Sequence, residues 1–284
     1  MRLQIIVASF GLAVAAAAHG ANSGTPAVGD YVSFQDCPIA RDTGPETDLC
    51  FFTEHDGVRY GLIEAQDFGR PQLKHRLLVE GQVVDGPLVC GGIPLQGRFS
   101  VLTELDDSCN RIVPFDGNVV GVASGVFNRG SPEQRAAAMA MMERSVSEPA
   151  VSLLPAIPES PALAEPRPPF ETRNFTLYYP YNSDRGSGPD MMEIVRLVHY
   201  ARAARATVTL TPFRGSSLLD DGTRLAEKPD IAQQRGEKLK GIMAGLGLDE
   251  KSIIIGPPQL LIEGDGHEDW KNRRIEVELV PRRR

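Results

Sequence analysis

Residues 228–247, KPDIAQQRGEKLKGIMAGLG, read as one helix, and the second half of the chain is built around it. Pro229 suits a first helical turn, where its missing N–H would be unpaired anyway, and Asp230 places negative charge at the positive end of the helix. Ile231, Arg235, Leu239, Ile242 and Leu246 recur at steps of three and four, the helical period. Gly245 and Gly247 supply the stop. The stripe is apolar except at Arg235, and an arginine on the edge of a buried face calls for an anionic partner, either a structural carboxylate or a ligand.

Working outward, three blocks stand in order across residues 170–281. Phe175-Thr-Leu-Tyr178-Tyr-Pro-Tyr181-Asn-Ser183 is similar to the opening F-x-x-x-F-x-x-x-S strand of the OmpA-like, peptidoglycan-associating domain family. Ile231-Ala-Gln-Gln-Arg235-Gly236 resembles that family's L-S-x-x-R-A helix, and Asn272-Arg273-Arg274-Ile275-Glu276-Val277-Glu278-Leu279 resembles its closing N-R-R-V-E-I strand. The resemblance implies a βαβαβ sandwich that binds the cell wall without catalysis. The residues agree with that order: a strand at 174–179, a helix opened by Pro189 with Met192, Val195, Leu197, Val198 and Ala201 on its apolar side, a strand at 206–211, a loop at 212–227, the Arg235 helix, a short strand at 252–255, a polar loop at 256–271 and the last strand.

In that family an aspartate of a G-H-T-D loop and the helix arginine hold the diaminopimelate of the stem peptide. The carboxylate receives the ammonium, and the guanidinium takes the ligand carboxylate in a two-pronged bond. Arg235 fills the arginine position, but G-H-T-D is absent, and Pro212-Phe213-Arg214-Gly215 stands at the strand end. Counting back from Arg235 by the family's spacing reaches Asp220, followed by Asp221-Gly222 as a turn. The peptidoglycan-binding set implied by the resemblance is Asp220, Arg235 and, on the closing strand, Arg273. The competing reading makes Arg235 a structural ion-pair partner, for instance to Asp230 or Glu237, leaves Arg273 and Arg274 on a solvated sheet edge, and makes the pocket degenerate.

The first half has a different character. Residues 22–128 carry short alternating stretches at 30–34, 58–63, 76–80, 82–85, 97–104 and 118–123, with a turn at Glu54-His55-Asp56-Gly57 and a break at Gly81. Such spacing predicts a small mainly-β barrel or sandwich. The four cysteines, Cys37, Cys50, Cys90 and Cys109, all lie in this half. Their even number predicts two disulfides, and the local pairing Cys37–Cys50 with Cys90–Cys109 is expected because each pair brackets its own loop. Residues 129–146 predict a helix capped by Ser131, with Met139, Met141 and Met142 packing on the β domain, and the seven prolines in 147–169 predict a linker holding the two domains apart.

Residues 1–21 read as a secretory signal, with Arg2 before an apolar run and Ala18-His19-Gly20 at the cut, and no later stretch is apolar enough to span a membrane. The formal net charge of −7 argues against a nucleic-acid partner. Cys90 with His55 or His75 is better read as a disulfide cysteine than as a nucleophile, and Asp265, His267, Glu268 and Asp269 as a solvated acidic loop than as a metal site. No cofactor, metal or catalytic residue is expected. The expected protein is α+β overall and periplasmic, associated with the cell wall or outer membrane. Its OmpA-like domain tethers it to peptidoglycan while the N-terminal β domain meets another envelope protein. The alternative is an envelope interaction component whose OmpA-like domain has lost wall binding.

Overall fold

The computed structural model describes residues 25–42, 50–62, 70–114, 165–186 and 188–282. The signal segment 1–21, the strand expected at 118–123, the helix at 129–146 and most of the 147–169 linker lie outside these residues.

The first unit is a seven-stranded sheet. Its strands are β1 (Tyr31–Asp36), β2 (Pro38–Arg41), β3 (Cys50–His55), β4 (Val58–Leu62), β5 (His75–Val83), β6 (Ile93–Leu105) and β7 (Arg111–Val113). Their order is β1-β5-β6-β4-β3-β2-β7, so among the described residues β1 and β7 are the edges and the sheet is not closed into a barrel. β4 runs parallel to β6 and β2 parallel to β7, while the other pairs are antiparallel. The expected turn between β3 and β4 is present, with Asp56 and Gly57 both at positive φ, as a two-residue hairpin requires.

The break expected at Gly81 is not there, and β5 continues through it. Gly81 pairs with Gly97 of β6, and a side-chain carbon on Gly97 would lie 2.2 Å from the Glu80 carbonyl oxygen. Here glycine lets two strands approach closely instead of turning the chain. The expected disulfide pairing is also corrected: the bonds are Cys37–Cys109 and Cys50–Cys90. Local loops do not decide the pairing. β7 returns to lie beside β2, which brings Cys109 to Cys37, and Cys50 and Cys90 share a small core with Ile39, Phe52 and Val89.

The second unit contains β8 (Arg173–Tyr178), helix α1 (Gly188–Ala204), β9 (Thr207–Pro212), a small hairpin of β10 (Ser216–Leu218) and β11 (Arg224–Ala226), helix α2 (Ile231–Gly245), β12 (Ile253–Ile255) and β13 (Arg274–Val280). The main sheet has the order β12-β9-β13-β8, with β12 parallel to β9 and β13 antiparallel to both its neighbours. In β13, Ile275, Val277 and Leu279 are buried and alternate with exposed residues, so one face is covered. Leu197, Val198 and Ala201 of α1 and Leu239 and Met243 of α2 join them in one core with Val208 and Leu210.

Two details of the helices differ from expectation. The buried face of α2 is Ile231, Ala232, Arg235, Gly236, Leu239 and Met243, a stripe rotated away from Ile242 and Leu246. Met192 of α1 is exposed, and Ile194 takes the core position. The two units also touch, contrary to the expectation that the linker holds them apart. Along β5, Leu77, Val79 and Val83 face the first unit's own core, while Leu78 packs with Tyr181 and Leu219 of the second unit. The period of two in a strand sorts one set inward and the other toward the neighbouring unit.

Candidate ligand-binding site and the seat between the units

Arg235 projects from the first half of α2 into the interior and is 0% exposed. Its guanidinium meets Glu227, a buried residue placed between β11 and α2. Nη2 donates to Glu227 Oε1 at 2.5 Å and Nη1 to Oε2 at 3.0 Å, a two-pronged bond. The remaining N–H groups go to main-chain carbonyls: Nε to Ser183 at 2.8 Å, Nη1 to Phe213 at 3.3 Å and Nη2 to Pro180 at 3.0 Å. A guanidinium has five N–H donors, and here each has an acceptor. Tyr179 lies under the group, with its ring centre 4.9 Å from Cζ. Glu227 is equally well held, accepting also from the Asn182 and Gly215 amides at 2.9 and 3.0 Å. The partner of Arg235 is thus Glu227, and neither Asp230 nor Glu237: Asp230 accepts from Gln234 and Glu237 from Gln233 on the solvent side of the helix.

Asp220 lies elsewhere, in the turn between β10 and β11. Both its carboxylate oxygens accept from the Ser33 amide of β1 at 3.1 Å, and its own amide donates to the Ser33 carbonyl at 2.8 Å. The residue is exposed as a whole, but its carboxylate is tucked against β1, and that burial holds its pKa above the ordinary value despite the Ser33 hydrogen bond. None of the hydrogen-bonding partners of Asp220 is shared with Arg235.

Arg273 is 1% exposed and is no sheet-edge residue. It pairs with Glu80 of β5, itself 0% exposed, so an ion pair between the two units is buried. Nη1 donates to Glu80 Oε1 at 3.2 Å and to Ser217 Oγ at 2.8 Å, Nη2 donates to Glu80 Oε2, and the Ser217 hydroxyl donates to Glu80 Oε1 at 2.9 Å. Around this pair, the Tyr181 amide donates to Ser100 Oγ of β6 at 2.9 Å, Arg98 lies over the Trp270 ring at 4.8 Å, and Tyr31 packs on His267 at 4.7 Å. Asp269, in the acidic loop, accepts from the Leu218, Asp265 and Gly266 amides and organises that loop.

The structure therefore does not bring Asp220, Arg235 and Arg273 together around one cavity. Two of them meet the first unit, and one is enclosed in the second. The residues that decide this, Glu227 and Glu80, were missed by the sequence reading. Glu80 had a signal: it is a lone acid in the run Leu77-Leu78-Val79-Glu80, where an apolar strand buried on both faces must pair its charge. Glu227 had only its place eight residues before Arg235, which is no signal by itself.

No family model and no curated protein matches the chain. Among solved structures it is similar to the OmpA-like domain of FopA1 from Francisella tularensis subsp. tularensis SCHU S4, at 17% identity over 39% of this chain and 73% of that one, with a TM-score of 0.30. It is similar to the periplasmic domain of Helicobacter pylori MotB at 15% identity, 39% and 79% coverage and a TM-score of 0.28. It is also similar to a MotB like protein from Desulfovibrio vulgaris at 11% identity, 39% and 76% coverage and a TM-score of 0.31. The roles given to residues here rest on this chain's own contacts. Among the described residues no helix is long and apolar enough to cross a membrane.

Proposed function

We propose that this chain is a non-catalytic component of the bacterial cell envelope whose OmpA-like C-terminal unit is a seat for the disulfide-bonded β unit, not an open clamp on peptidoglycan. The observation that carries this reading is the saturation of Arg235 by acceptors from its own unit. A stem-peptide carboxylate could reach the guanidinium only by displacing Glu227. That would leave a buried carboxylate without its charge partner, a state costing several kcal/mol, roughly 3–5. Asp220, the residue implied as acceptor of the ligand ammonium, gives both oxygens to Ser33. The signal-like segment and the two disulfides support an exported, periplasmic protein. The β unit then remains the surface offered to another envelope protein.

Co-sedimentation of the full chain with purified sacculi tests this. The chain is expected to stay in the supernatant. Pelleting that is abolished by Asp220→Ala, with an unchanged circular dichroism spectrum, would restore the second reading. That reading, a peptidoglycan tether, is favoured by the order of the three sequence blocks and requires Glu227 to leave Arg235.

A further inference from the structure

The seat between the two units is built like a surface between partners. Each unit has its own apolar core, and among the described residues the buried apolar cluster at the junction is small: Leu78, Tyr181 and Leu219, with Leu102 and Leu225 partly buried against it. Around it stand polar pairs, Glu80 with Arg273 and Ser217, Ser33 with Asp220 and Ser100 with Tyr181, and the ring contacts of Arg98 with Trp270 and Tyr31 with His267. Polar junctions of this kind resemble transient interfaces, which open and close. Among the buried polar atoms at the seat, Arg273 Nε and Ser33 Oγ make no hydrogen bond to another group of the chain. Each gains access to water when the seat opens, which offsets part of the cost of opening.

The two units belong to one chain, the described residues of the first ending at 114 and those of the second beginning at 165. A second copy of the chain presents the same two faces with the same charges. We propose that the seat is exchangeable: the β1–β5–β6 face of one copy docks on the Arg273–Asp220 face of another, and the reverse, forming a closed reciprocal dimer through the contacts seen within one chain. Glu80 is the specificity residue of this surface, because it reads an arginine side chain at the centre of the opposing face. It points away from its own unit's core, so reversing its charge leaves that core intact.

Full-length Glu80→Arg and Arg273→Glu variants test the exchange. Each alone places like charges across the seat and is expected to be an open monomer. Mixed in equal amounts they restore both pairs in trans, and light scattering after gel filtration should show a doubling of the molar mass. The double variant restores the pair in cis and should remain a closed monomer when dilute. A mixture that stays at monomer mass, with both variants folded by circular dichroism, overturns the proposal. Hydrogen exchange on the unmodified protein provides the check should either variant fail to fold. The Tyr181 and Asp220 amides, which bond only across the seat, are expected to exchange faster than the Val277 amide of the sheet. Exchange at the same rate as the sheet would mean that the seat never opens alone, and would refute the proposal.

Discussion

Among the described residues two arginine–glutamate pairs are buried, and their surroundings differ. Arg235–Glu227 lies within one unit, has every guanidinium donor occupied and is reinforced by two main-chain amides on the glutamate. Arg273–Glu80 joins two units, has a serine as its third member and leaves Nε of the arginine without a partner. The difference teaches that burial alone does not define a role. A saturated pair inside one core ties the chain together around β11 and α2. A pair with an orphan donor, set between two separately built cores, holds a joint that can open.

The sharpest way to break the comparison is Arg235→Met. It strands Glu227 in the core and should lower the stability of the second unit by about 3–5 kcal/mol in urea unfolding. Adding Glu227→Leu should recover most of that loss, because an apolar pair of similar volume needs no charge partner. Arg273→Met should act differently. Glu80 escapes into water when the joint opens, so each unit's own unfolding should change by less than about 1 kcal/mol, while small-angle scattering shows a larger radius of gyration. A global loss as large as that for Arg235→Met would make the two pairs equivalent and remove the distinction.

The smallest effect concerns His55, at the margin of the seat. Its ring is 3.2 Å from Asp36, and that hydrogen bond, with Asp56 and Asp220 nearby, raises its pKa above the ordinary 6.5, against the effect of burial. A pKa raised in the folded state gives stability that is present below the unfolded value and is lost as pH rises through the folded one. His55→Gln should therefore lower Tm at about pH 5.5 and leave it nearly unchanged at about pH 9, with a difference below roughly 1 kcal/mol for this partly exposed pair. Equal shifts at both pH values would show that packing on Phe34, whose ring stacks on His55 at 4.2 Å, matters more than charge.

Much of the second unit was legible in advance. The alternation Ile275, Val277, Leu279 and the spacing Ile231, Arg235, Leu239 fix a strand and a helix wherever their partners lie, because side-chain direction follows from local backbone geometry. The first unit was legible as mainly β but not in its order. β4 beside β6 and β2 beside β7 are parallel neighbours far apart in sequence, and no local pattern announces them. Cysteine pairing failed for the same reason.

The sequence by itself determined the mainly-β character of the first unit, the main strands and helices of the second and the position of an arginine that needs an anion. Tertiary structure alone decided which anion it meets. Glu227 reaches Arg235 because a hairpin folds back before α2, and Glu80 reaches Arg273 because two separately folded sheets meet. Charge selects a partner only among groups that the fold has brought within hydrogen-bond reach, so a motif names the donor and the topology names the acceptor.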